Sequence, residues 1–230
     1  MVPGRRQKWC IPKVDAEYVY RMEDLLDLYA LPHDPKRPLV CFDEHPLALR
    51  SDKRPRLEAT TTKPERYDYE FVRQGKRQLL MAFDPHAGWR RVWVHEQRTK
   101  REFALALWEL AEVHYPKADK IVLVVDNLNI HKLSALYEHF KPAKARRLAE
   151  RFEVHFTPKH ASWLNMVEIE IGVMVGQCLH DRYDGDDELE RGVRAWENGR
   201  NKQRATINWS FTTDKAREKL KRLYPSIQMR

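Results

Sequence analysis

With 230 residues, 42% of them hydrophobic and only 8 glycines, the chain has the bulk for one or two domains with a real core, which excludes a marginal miniprotein and wholesale disorder. Its 42 Lys and Arg outnumber 34 Asp and Glu and leave a net charge of +8, a balance that favours polyanionic partners such as nucleic acid. Three scattered cysteines, Cys10, Cys41 and Cys178, with no Cys-x-x-Cys pair, exclude a disulfide framework and a structural zinc site and suit a reducing cytosol.

The basic start, Met-Val-Pro-Gly-Arg-Arg-Gln-Lys, lacks the apolar stretch of a signal peptide. The longest aliphatic run, Ile121 to Val125, is far too short to span a bilayer. Secretion and membrane insertion are therefore disfavoured.

In chain order, Val19, Met22, Leu25, Leu26 and Tyr29 recur at helical spacing before Pro32 and Pro35 stop the helix. The run Leu39-Val40-Cys41-Phe42 then reads as a buried strand that ends in the acidic pair Asp43-Glu44. Strands at 77–84 and 89–96 follow, joined by Pro85-His86-Ala87-Gly88, which has the chemistry of a hairpin turn. Residues 100–114 carry one apolar stripe, Phe103, Leu107, Leu110 and Ala111, as a surface helix does. The most hydrophobic run, 120–125, reads as a central strand ending in Asp126-Asn127. A basic helix at 132–151, a short strand at 153–157 and a helix at 164–180 come next. Helices at 186–199 and 213–223 close the chain, the last with Thr213 as N-cap. This order predicts an α/β fold, a mixed sheet flanked by helices.

Ligands of such sheets sit beyond the carboxyl ends of the strands. Asp43 and Asp126 would meet there if their strands are neighbours, and Glu168 on the later helix would complete an oxygen-only cluster. That donor set suits Mg²⁺ or Mn²⁺ and not zinc, and two such cations serve phosphoryl chemistry. Taken singly, each aspartate reads better as a strand-end turn residue, and that reading weakens once the two are seen together with Glu168. Glu44 competes with Asp43, but adjacent strand residues point to opposite faces. Glu170 competes with Glu168 from the far side of the same helix, because two residues turn the helix by about 200°.

The segment Thr157-Pro158-Lys159-His160-Ala161-Ser162-Trp163-Leu164-Asn165-Met166-Val167-Glu168 resembles the third catalytic signature of DDE transposases of the mariner superfamily, in its bacterial insertion-sequence branch. Val40-Cys41-Phe42-Asp43-Glu44 resembles the first signature, and Leu123-Val124-Val125-Asp126-Asn127 with His131 resembles the second. The interval from Asp126 to Glu168 is slightly longer than the family's, an excess that the basic stretch 141–151 can absorb. The likeness runs from about Trp9 to Tyr224.

The resemblance implies a ribonuclease H-like fold, with Asp43, Asp126 and Glu168 as metal ligands for Mg²⁺ or Mn²⁺, two ions in all. It implies cleavage and strand transfer at transposon ends, a TA target, double-stranded DNA as partner, a homodimer as an option and a bacterial, nucleoid-associated cytoplasmic setting. Asn127, His131, His160 and Asn165 would shape the site or position DNA, with Asn165 as N-cap of the helix that carries Glu168. Trp163 divides between that role and the core. Of the basic clusters, including Arg5-Arg6, the one at Lys53, Arg54 and Arg56 follows the first catalytic strand and is the preferred phosphate contact.

The expected division is a lead-in at 1–37, a catalytic domain at 38–183 and a helical extension at 184–230. The helix-turn-helix region that precedes such domains in the family is expected to be missing. Two rival readings remain open: a ribonuclease H-like nuclease without strand transfer, and a non-catalytic DNA-binding regulator of a full-length transposase.

Overall fold

The computed structural model describes residues 15–224, so that Arg5-Arg6 and Cys10 lie outside the described residues. Helix α1 (Ala16–Tyr29) begins where the Asp15 carboxylate accepts the Tyr18 N–H at 2.9 Å, and it buries Met22, Leu25, Leu26 and Tyr29. The chain then enters a five-stranded sheet made of β1 (Leu39–Asp52), β2 (Phe71–Asp84), β3 (Trp89–His95), β4 (Ile121–Val125) and β5 (Phe152–Phe156). Their order across the sheet is β3-β2-β1-β4-β5. The first three form an antiparallel meander, whereas β1, β4 and β5 run parallel.

Alternation along β1 and β4 builds two cores. Leu39, Cys41, Val122 and Val124 face α1, α5 (Val167–Gln177), α6 (Asp186–Gln203) and α7 (Thr213–Lys219). Val40, Phe42, Ile121, Leu123 and Val125 face α2 (Lys100–Glu109), α3 (Ser134–His139) and α4 (Pro142–Ala149). All five residues of β4 are buried, as a central strand covered on both faces requires. Cys41 and Cys178 are free thiols. Among the described residues no helix is long and apolar enough to cross a membrane.

Several elements depart from the sequence reading for local reasons. The basic helix at 132–151 is two helices, because Pro142 opens α4 at its first turn and Lys141 before it is held extended at ψ 142°. The last helix is capped by Thr212 and not by Thr213; the Thr212 hydroxyl faces the Lys215 N–H. The helix after residue 100 loosens into a π turn over Leu110–His114. β1 and β2 run well past the shared sheet as a two-stranded ribbon, with a bulge between Ala48 and Arg50.

The chain's two described ends are tied together. Arg217 makes a two-pronged ion pair with Glu23, Tyr224 donates its hydroxyl to the same carboxylate at 2.8 Å, and Thr213 bonds Asp27. These contacts hold α7 against α1.

The β2–β3 turn is built around Asp84, whose carboxylate accepts the N–H groups of His86 and Ala87. Gly88 completes it at φ +65°, and a Cβ there would stand 2.4 Å from the Arg204 carbonyl oxygen. Left-handed backbone costs an L-residue about 1–2 kcal/mol, and the clash with backbone adds to that. Gly88→Ala is therefore expected to lower unfolding stability by at least about 2 kcal/mol, read as a shifted urea midpoint at unchanged slope.

Candidate active site

Strand pairing places the first two carboxylates. Leu39, Val40 and Cys41 of β1 pair in parallel with Val122, Leu123 and Val124 of β4, so two further residues along the same register set Asp43 beside Asp126. The neighbour relation on which their meeting depended is present. Asp43 is half-buried, and its Oδ1 accepts the Glu44 N–H at 2.8 Å. Burial pushes its carboxyl up to about 7, and the charges of Glu44, Glu168 and Asp126 act in the same direction against the Glu44 N–H bond. The charges of Asp126 and Glu168 thus both bear on Asp43. Among the described residues, however, no three His, Cys, Asp or Glu side chains close into a tight ligand set.

Asp126 is held from beneath. His131 is buried, with Nδ1 2.6 Å from Asp126 Oδ1 and Nε2 2.7 Å from Glu44 Oε1. The same Oδ1 accepts the Leu128 N–H at 2.9 Å. Burial would lower the imidazole pKa, but the hydrogen bonds to Asp126 and Glu44 outweigh it and raise it to about 9. The ring thus donates to both carboxylates. Burial likewise works against ionised Asp126, yet the bonds from His131 and Leu128 and the charge of Arg98 keep its carboxyl below the ordinary value.

Glu168 reaches the site from the other side. After β5 the chain makes a single 3₁₀ turn at Ser162–Leu164, and α5 starts only at Val167. Asn165, expected as the N-cap, is instead fully buried and extended, and it donates from Nδ2 to the Phe42 carbonyl at 3.0 Å. It anchors the loop to β1 and leaves the cap to Met166, which makes no side-chain cap bond. Glu168 is exposed in the first turn of α5, whereas Glu170 points inward. Arg200 grips Glu170 with two bonds of 2.9 and 2.8 Å, and Nε of the fully buried Arg90 lies 2.9 Å from Glu170 Oε1. Glu170 thus fastens α5 to β3 and α6.

The remaining residues divide. Asn127 donates to the Thr157 carbonyl and accepts from Arg21 of α1, an arginine that the sequence reading did not connect with this end of the sheet. His160, left-handed at φ 61°, lines a cavity of about 340 Å³ with Tyr18, Arg21, Asn127 and Lys159, none of them one of the three carboxylates. Trp163 is 45% exposed and lies against Phe211, so it is not a core residue. Lys53 pairs with Glu70, Arg54 with Asp68 and Glu70, and Arg56 with Asp52, Glu65 and Asp181. Arg98, also absent from the sequence reading, stands 3.9 Å from Glu44 Oε2.

The donor chemistry fits a hard divalent cation. Asp43, Asp126 and Glu168 offer only carboxylate oxygens, and for each aspartate one oxygen is taken by the protein while Oδ2 carries no hydrogen bond among the described residues.

Residues 38–190 match the family model described as DDE superfamily endonuclease. The chain belongs to that family. Solved structures of similar fold agree. The Mos1 mariner paired-end complex with Mn matches at TM-score 0.56 and 15% identity over 88% of this chain and 61% of that one. The Mos1 strand-transfer complex matches at 0.57 and 16% over 88% and 62%, and a pre-cleavage Mos1 transpososome at 0.58 and 13% over 98% and 68%. The mixed five-stranded sheet of this DDE superfamily member is thus the ribonuclease H-like fold they share. The chain spans about three fifths of the length of the first two of these structures. No curated protein matches it by sequence.

The two glutamates of α5 are expected to part in stability. Glu168→Gln, on the surface, should leave unfolding stability within about 0.5 kcal/mol. Glu170→Gln removes the charge between two arginines and should cost about 3 kcal/mol, so it is not the neutral neighbour that helix geometry alone suggests. Paired thermal melts of the two variants check both values.

Proposed function

We propose that this DDE superfamily endonuclease is a transposase catalytic domain that cuts DNA at transposon ends and joins the freed 3′ end to target DNA. The observation that carries this reading is the register that sets Asp43 beside Asp126, with the charge of Glu168 bearing on the same carboxyl. In this reading Asp43, Asp126 and Glu168 hold Mg²⁺ or Mn²⁺, two ions as phosphoryl transfer uses them. Bound there, the ions would activate the attacking water or 3′-hydroxyl and stabilise the leaving oxygen. The protein's own share is to hold each aspartate by one oxygen and to keep α5 in place through Glu170 and Asn165.

Several features of the relatives support it. The Mos1 structures include complexes with Mn and with Mg, paired-end complexes and a strand-transfer complex. By that likeness the substrate is double-stranded DNA and two copies act on paired ends. Residues 38–183 then carry the chemistry, and the described parts of the flanking segments 1–37 and 184–230 brace it.

Lys53 sits in an exposed ion pair with Glu70 worth about 0–1 kcal/mol, so exchanging that carboxylate for a phosphate costs it little, whereas the exposed Arg54 faces the largely buried side chain of Asp68 as well as Glu70. Arg56, bound to three carboxylates, serves to hold the ribbon. Asn127 and His131 steady the Asp126 end of the site, and His160 faces the DNA beside it.

Two outcomes test the reading. Glu168→Gln, Asp43→Asn and Asp126→Asn should each cut Mg²⁺-dependent cleavage and joining of transposon-end DNA by on the order of 10²-fold or more, with folding and DNA binding retained. Cleavage without joining by the parent chain would turn the reading to a nuclease, and DNA binding without either reaction to a regulator. In anisotropy titrations the chain should bind duplex DNA with Kd of about 10⁻⁴–10⁻⁶ M at physiological salt and weaken steeply as salt rises. Lys53→Ala and Arg54→Ala should each reduce the salt slope by about 1.

A further inference from the structure

Glu44, next to the first aspartate, is buried and is not one of the three proposed metal ligands. It lies on the α2 face of the sheet, opposite Asp43, as strand alternation demands. Its Oε1 meets His131 Nε2 at 2.7 Å, and its Oε2 has no hydrogen-bond partner, with the Arg98 guanidinium 3.9 Å away. The His131 ring is wedged between Phe42 and Phe103, at 5.8 and 4.9 Å between ring centroids, so it cannot swing. Its other nitrogen is the one that holds Asp126 Oδ1 at 2.6 Å.

We propose that Glu44 is a positioning residue: acting through His131, it locks Asp126 in the rotamer that spends Oδ1 inside the protein and leaves Oδ2 as a single cation-binding oxygen. The inference rests on the metal reading above and names the residue that makes Asp126 a one-oxygen ligand. Two features separate this role from direct ligation. The Glu44 carboxylate lies on the opposite face from Asp43, and its near oxygen is already occupied by the imidazole. Without Glu44 the wedged ring keeps its place but loses the acceptor that polarises it toward Asp126, and the hold on Asp126 Oδ1 beside the Leu128 N–H is weakened. Partners of this outer kind typically contribute about 10–100-fold in metal affinity.

The distinction can be read without turnover. Mn²⁺ alone is titrated into the full chain and followed by the loss of the free-ion paramagnetic resonance signal, with thermal melts in parallel. Gln at position 44 can accept from or donate to Nε2, so Glu44→Gln should hold Mn²⁺ within about threefold of the parent. The double variant Glu44→Leu/His131→Phe removes the pair without leaving a lone buried charge. It should melt near the parent yet bind Mn²⁺ about 10–100-fold more weakly. Asp43→Asn, which removes a ligand outright, sets the scale for direct ligation. If Glu44→Gln loses as much affinity as Asp43→Asn, Glu44 is itself a ligand and the proposal falls. It falls also if the double variant binds Mn²⁺ as the parent does. A parent chain that takes up no Mn²⁺ would sink the metal reading, and this inference with it. Parent binding that Asp43→Asn abolishes upholds the metal reading whatever the Glu44 variants do.

Discussion

Everything at this site hangs on one strand contact, the parallel pairing of β1 with β4 in the middle of the sheet. Only three residue pairs define it, Leu39 with Val122, Val40 with Leu123 and Cys41 with Val124. Because side chains alternate with a period of two, a slip of one residue would turn Asp43 away from Asp126 and send Phe42 into the wrong core. The register is protected by the depth of its burial, since the paired residues belong to two separate apolar layers that both have to be filled. Hydrophobic packing on either side of the sheet thereby fixes the separation of two charged groups that would otherwise repel.

Burial, and after it the neighbouring carboxylates, raise the pKa of Asp43, and positive charge is placed around the other carboxylates. His131 and Arg98 serve the Asp126 side, and Arg90 with Arg200 serves Glu170 two residues beyond the exposed Glu168. The second pair is structural in effect: a buried carboxylate held by two guanidinium groups ties α5 to β3 and α6. Burying such a group is expensive unless it is matched on all sides. Here the match also specifies how α5 is rotated about its axis. The geometry thus rests on residues inside the signatures, Glu44, His131 and Asn165, together with Arg90, Arg98 and Arg200 outside them.

Much of this was legible in the sequence, for identifiable reasons. The aliphatic runs at 39–42 and 121–125 announce buried strands, and each ends in an acidic residue. Alternation put Glu44 on the opposite face from Asp43, and helical geometry separated Glu170 from Glu168. What alternation could not supply was a partner: His131 lies 87 residues from Glu44, and nothing local couples them. Asn165 is a good capping residue type, but its amide is claimed by a carbonyl 123 residues away. The basic cluster at Lys53 to Arg56 looked free because its counter-charges, Asp68 and Asp181 among them, arrive from other segments. The break between α3 and α4 is the exception. Its signal, Lys141 before Pro142, stood in plain view and was outweighed by the run of helix-forming residues around it.

The clasp between α1 and α7 has a mechanical side. Glu23, Asp27, Thr213, Arg217 and Tyr224 join the two described ends directly. Tension applied between those ends is therefore borne by helix-to-helix contacts at the periphery and bypasses the strands. The clasp acts as a mechanical shunt. Pulling would load this helix-to-helix contact before β1, the strand that follows α1 in the chain.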